Sequence, residues 1–142
     1  MPTTRALIHE ALQWEGRPYR ASGSHESGAN CLGIWGGILR NLGGLEDIVD
    51  EIEHYASYAK QRSRGDLLRN LVQSPHLEVI RPAKFIVGNL IITRFQGDPR
   101  HLALVTEPRV ILHASQLHKR VIRQGLPSEW KVSCEFRIKR LT

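Results

Sequence analysis

The stretch from Gly88 to Arg123, GNLIITRFQGDPRHLALVTEPRVILHASQLHKRVIR, decides the fold. It holds four short apolar runs, Leu90 to Phe95, His101 to Thr106, Val110 to His113 and Arg120 to Arg123, separated by turn residues. A fifth run follows, in which Val132, Cys134, Phe136 and Ile138 alternate with Lys131, Ser133, Glu135, Arg137 and Lys139. Runs of this length with turn punctuation predict antiparallel strands. The last reads as an edge-like or half-buried strand with Cys134 facing the core as a small hydrophobe and its charged positions forming a solvated face.

Working toward the N-terminus, the period changes from strand to helix. Thr3 or Thr4 can cap a first helix with Ala6, Leu7, Ile8, Ala11, Leu12 and Trp14 on its apolar face, running to about Glu15 with Gly16 as its stop. Gly16 to Asn30 is rich in Gly, Ser and polar residues and reads as a loop. A second helix carries Leu32, Trp35, Ile38, Leu39 and Leu42 at helical spacing and ends at Gly43-Gly44. Asn30 is a favourable N-cap, which would put Cys31 in the first turn. Glu46 to about Gln73 is mostly polar and partly helical, with Asp66 to Val72 a short amphipathic helix; Pro75 and Pro82 bracket a connection. Helices first and antiparallel strands afterwards predict an α+β fold, with the N-terminal helices packed on a C-terminal sheet.

The 142 residues suit one domain, 1–142, able to bury a core without metal or disulfide staples. No apolar run is long enough to span a bilayer, and the first residues lack the apolar stretch of a secretory signal, so no membrane insertion is expected. A net charge of +6 favours an anionic partner in general terms. No helix-turn-helix, zinc knuckle or aromatic-basic stacking motif accompanies it, which argues against nucleic acid as the partner.

The chemistry-bearing candidates are Cys31 and the histidines. A cysteine in the first turn of a helix feels the unpaired amides there, which favour thiolate, and nearby amides can donate to an oxyanion. A reactive thiol and a buried structural cysteine both fit the local sequence. A thiol nucleophile needs a base, and among the seven histidines His101 and His113 stand out because Pro108 divides their segment into a hairpin. An odd-residue loop would set the two rings directly opposite on one face, where one takes the thiol proton and the other orients it; an even loop without a bulge would separate them. Zinc held by Cys31, His101 and His113 is a further reading, weakened by the absence of close ligand spacings and of an obvious fourth ligand.

Gly16-Arg17-Pro18-Tyr19, Asn30-Cys31-Leu32-Gly33, Gly88-Asn89-Leu90, His101-Leu102-Ala103-Leu104-Val105 and Ile111-Leu112-His113-Ala114, closed by Trp130 and Phe136-Arg137-Ile138, resemble in order the motifs of the NlpC family of cell-wall cysteine peptidases. The resemblance covers nearly the whole chain and is strongest to the short branch encoded with phage tail and gene-transfer-agent tail genes. It implies a papain-like fold with Cys31 as nucleophile, His101 as base and His113 as the polar residue that orients it. Tyr19 and Asn30 would lie on the substrate side, and no metal or organic cofactor is implied. The implied substrate is the peptidoglycan stem peptide, cut between D-glutamate and a diamino acid. The implied setting is a tail particle assembled in the bacterial cytoplasm that acts on the periplasmic wall, with tail-tip proteins as partners. Family members carry Asp where this chain has Asn30 and Asn89; the amide can still cap the helix but removes a negative charge near the thiol. A catalytically silent structural or binding module of a phage-like tail is the alternative those two positions keep open. The segment 46–80 reads as insertion-like, placed to meet a tail component or border the cleft.

Overall fold

A computed structural model describes residues 2–18, 27–51, 66–95, 98–115 and 117–142, and for 27–33, 66–67, 95 and 98–100 the backbone alone. Among the described residues, the helices α1 (Thr4–Leu12), α2 (Ser27–Leu42) and α3 (Asp66–Val72), with a further helical run at 46–51, precede six strands. The strands are β1 (Leu77–Ile80), β2 (Leu90–Phe95), β3 (Asp98–Glu107), β4 (Val110–Ser115), β5 (Arg120–Gly125) and β6 (Val132–Ile138). They form one antiparallel sheet in the order β1-β6-β2-β3-β4-β5, so the chain is α+β. Among the described residues no helix is long and apolar enough to cross a membrane.

Thr3 caps α1, its Oγ1 accepting from the Ala6 N–H at 3.0 Å. The helix ends at Leu12 rather than near Glu15, and turns carry the chain to Gly16, whose φ of +87° suits glycine. Trp14 therefore leaves the helical pattern. Its ring lies against Gly37 of α2, where an added Cβ would collide with it, and its Nε1 donates to Glu10 at 3.0 Å.

The helix α2 begins at Ser27, three residues before the expected cap. Asn30 is thus inside the helix and Cys31 is its fifth residue, one turn deeper than the sequence suggests. The influence of a helix terminus falls off within the first turn, so the macrodipole acts on Cys31 less strongly than a first-turn position would allow.

Strand alternation divides the sheet into two faces. Leu90, Ile92, Leu102, Leu104, Leu112, Cys134, Phe136 and Ile138 meet Leu7 and Ala11 of α1 and Trp35, Ile38 and Leu39 of α2 in the main core. Full burial of each large aliphatic or aromatic side chain contributes about 1.5–3 kcal/mol, and this face carries most of them. The opposite face holds a smaller cluster, Ile91, Ala103, Val105 and Ile111, covered by Phe85, Leu126, Trp130 and Val132.

Ile48, Val49, Leu71 and Leu77 of the 46–80 segment also belong to the main core, beside Leu45. Residues 52–65 lie outside the described residues. The strand β1 within that segment has no counterpart in the sequence reading, and it pairs with β6. Of the two readings, edge-like or half-buried, the edge one is thereby excluded, because β6 lies in the interior of the sheet between β1 and β2.

The interior position of β6 corrects the reading of Glu135. Instead of facing solvent it is fully buried, at 0% exposure. Its Oε1 accepts from the backbone N–H groups of Lys84 and Phe85, both at 2.8 Å, and its Oε2 from Ile86 N–H at 3.0 Å and Asn89 Nδ2 at 2.6 Å. Burial pushes this carboxyl up, but Asn89 and the three backbone amides outweigh it and hold it below the ordinary value. Glu135 thereby ties the approach to β2 onto β6.

The C-terminal basic residues are partly matched by acids. Arg123 reaches Glu15 and Glu107, Arg137 reaches Glu78, and Arg140 reaches Asp47. Such exposed pairs contribute at most about 1 kcal/mol each, but they neutralise part of the positive field.

Candidate active site

The turn joining β3 and β4 fixes the histidine pair. Pro108 and Arg109 occupy the two loop positions between Glu107 and Val110, and Arg109 adopts φ +59°. An even loop alone would put His101 and His113 on opposite faces. The register shifts between Val105 and Glu107, and beyond this bulge Val105 pairs with Ile111 and Leu104 with Leu112. The extra residue restores the parity, so both histidines share a face after all. They are diagonal neighbours rather than directly opposed, since the ladder sets His113 against the Ala103 position.

His101 Nε2 and His113 Nδ1 are 2.8 Å apart, with ring centroids 4.9 Å apart and an interplanar angle of 86°. On the far side His113 Nε2 lies 2.9 Å from Oε1 of Gln124 in β5. Trp130 packs edge-to-face on both rings, at 5.5 Å from His101 and 5.3 Å from His113. Both ring nitrogens of His113 are thus engaged by protein groups.

Burial pushes His101 down to about 3, with the neighbouring His113 adding to the effect. Burial likewise lowers His113, against the opposing influence of hydrogen bonds to Gln124 and to the Ala114 backbone; His118 lowers it further. Both rings are therefore neutral near pH 7, and a neutral imidazole is a proton acceptor. The same depression links folding to pH. The unfolded chain takes up protons at its ordinary 6.5 while folded His101 does so only near 3, so stability is expected to fall as pH drops through that interval. Denaturant midpoints measured across the window should decline toward acid, and more shallowly in His101→Ala; equal slopes would contradict the assignment.

The pair opens onto a cavity of about 340 Å³ bordered by Thr93, Arg94, Ser115, Leu117, His118, Gln124, Pro127, Glu129 and Trp130. Ser115 Oγ lies 2.9 Å from His118 Nδ1 and accepts from the His118 backbone N–H, which holds that ring at the rim. Leu117 beside it is 86% exposed.

On α2, Ile34, three residues beyond Cys31, lines a small cavity together with His113 and Ala114. The N-terminal half of the helix therefore approaches β4 at His113 and Ala114. Tyr19 and the side chains of Asn30 and Cys31 lie outside the described residues. Asn89, the other position where the resembled pattern has Asp, is 3% exposed and donates its amide to the buried Glu135 carboxylate. Cys134, the other cysteine, is buried at 6% exposure, and desolvation pushes its thiol up.

Two contributors lie beyond what the sequence reading identifies. Gln124 pairs with Ile111 and Ile122 with His113, so Gln124 comes to the face of His113 only once the β4–β5 register is known. Trp130, visible in sequence as part of a closing motif, is the apolar cover that dehydrates both rings. No known family model and no curated protein matches the chain.

Proposed function

We propose that the chain is a cysteine endopeptidase of the papain-like NlpC type, which hydrolyses the peptidoglycan stem peptide between D-glutamate and a diamino acid. The observation that carries this reading is the relay His101, His113 and Gln124 at hydrogen-bond distances beside an open cavity. An ordered pair of neutral imidazoles, His113 buried and His101 partly so, is poorly suited to a merely solvated strand face and well suited to proton transfer. The order of the sequence motifs supplies the nucleophile, Cys31.

In this mechanism the Cys31 thiol gives its proton to His101, and the thiolate adds to the stem-peptide carbonyl. The tetrahedral oxyanion collapses to a thioester as His101 returns the proton to the leaving amine. Water then attacks the thioester, its proton passing to His101 and on to the departing thiolate, which releases the carboxylate product. His113 orients His101 throughout, and Trp130 keeps bulk water off both rings. A tail particle of the phage or gene-transfer-agent kind would carry this activity from the cytoplasm to the periplasmic wall, where local hydrolysis aids envelope penetration.

The purified chain is expected to release soluble muropeptide fragments from peptidoglycan, and Cys31→Ala to release none while keeping the wild-type circular dichroism spectrum. Equal release by the two proteins would refute the nucleophile. Absence of release by both, with retained binding to the wall polymer or a tail protein, would favour the silent module.

A further inference from the structure

We propose that Gln124 is a positioning residue that sets the direction of proton transfer through the histidine pair, acting on His101 by way of His113. The catalytic consequence rests on the peptidase reading above; the tautomers do not.

Donors and acceptors must alternate along the three side chains. A carboxamide oxygen accepts hydrogen bonds and cannot donate them, so Oε1 of Gln124 at 2.9 Å requires the proton of neutral His113 to sit on Nε2. The Nδ1 of His113 then carries a lone pair. Only a donor satisfies it at 2.8 Å, and that donor is the Nε2–H of His101. A neutral imidazole has one proton, so with that proton on Nε2 the ring's lone pair is on the Nδ1 of His101. Every assignment follows from the orientation of one amide.

Turning that amide over reverses the chain. An NH2 group facing His113 would make its Nε2 an acceptor, its Nδ1–H would donate to His101 Nε2, and the remaining proton of His101 would occupy Nδ1. His101 would then have no lone pair at Nδ1. A carboxylate at 124 would also disturb the relay, because it favours the imidazolium form of His113, whose Nδ1–H would donate toward His101 rather than accept from it. A neutral amide is therefore the side chain matched to a base oriented by a second histidine. Gln124 also has the right placement, since a paired strand carries it on the same face as His113 and one diagonal step away.

The test is histidine tautomer assignment by long-range nitrogen–proton correlation spectroscopy on the full chain at neutral pH, alongside steady-state kinetics. Wild type should show both His101 and His113 protonated on Nε2. In Gln124→Leu, His113 should lose its single tautomer, with kcat falling by at least about tenfold and KM changing by less than about twofold. Gln124→Glu should keep the Nε2 proton of His113 but move the acid limb of the kcat/KM profile to higher pH. A wild-type His113 protonated on Nδ1, or a Gln124→Leu protein with unaltered tautomers, would overturn the proposal. The stated tautomers in a protein that hydrolyses no stem peptide would uphold the proton chain and overturn the peptidase reading alone.

Discussion

His101→Ala is expected to lower the rate of muropeptide release by about 10²- to 10⁴-fold, the usual contribution of a positioned general base. The loss should fall mainly on kcat, because His101 handles the proton rather than holding the substrate. The fold should survive. His101 is only partly buried, and its removal leaves His113 Nδ1 without one hydrogen-bond donor, a cost of roughly 1–3 kcal/mol. His113→Ala should be milder in activity, since His101 would keep its position beside Trp130 while losing its orientation. A His101→Ala protein that releases fragments at the wild-type rate would remove His101 from the mechanism.

Asn89→Asp is expected to produce the largest loss of stability, about 3 kcal/mol or more. The substitution puts a second carboxylate against Glu135, where Asn89 Nδ2 now sits at 2.6 Å, in a fully buried site, and removes a charge-assisted donor at the same stroke. One of the two acids must then take a proton, so the penalty should shrink as pH falls and a shared proton restores the hydrogen bond. Denaturant unfolding at neutral and mildly acid pH measures both effects; a change under about 0.5 kcal/mol at neutral pH would show that the buried carboxylate does not depend on Asn89. With Glu135 as the partner, a donor is needed.

Glu135 also shows where sequence reading fails. Alternation in β6 assigns it to solvent with Lys131, Ser133, Arg137 and Lys139, and nothing local distinguishes it from them. Its burial comes from β1, a four-residue strand whose pairing with β6 is non-local, and from the 84–86 backbone folding over it. The helix boundaries fail for a different reason. Trp14 continues the apolar spacing of α1 but packs on Gly37 from a turn, and Asn30 has the chemistry of a cap while α2 already begins at Ser27. Periodicity reports which face a residue takes more reliably than where an element ends.

The histidine pair is legible for a sounder reason. A hairpin offers only two parities, and the sequence states both; the bulge between Val105 and Glu107 decides between them. The shared face of the two rings is one of the two outcomes that spacing allows, while their diagonal rather than direct relation is not among them. Gln124 requires a second register, that of β4 with β5, which no spacing in the sequence announces.

If Cys31 surrenders its proton to His101, thiol alkylation reads the transfer without any assumption about substrate. Iodoacetamide modification followed by mass spectrometry reports Cys31 and Cys134 separately, and buried Cys134, its thiol pushed up by desolvation, is the internal slow reference. At neutral pH Cys31 should react well ahead of Cys134, and His101→Ala should slow Cys31 by about tenfold or more. Alkylation of Cys31 at one rate in wild type and His101→Ala would contradict the thiol–imidazole pair on which the peptidase reading stands.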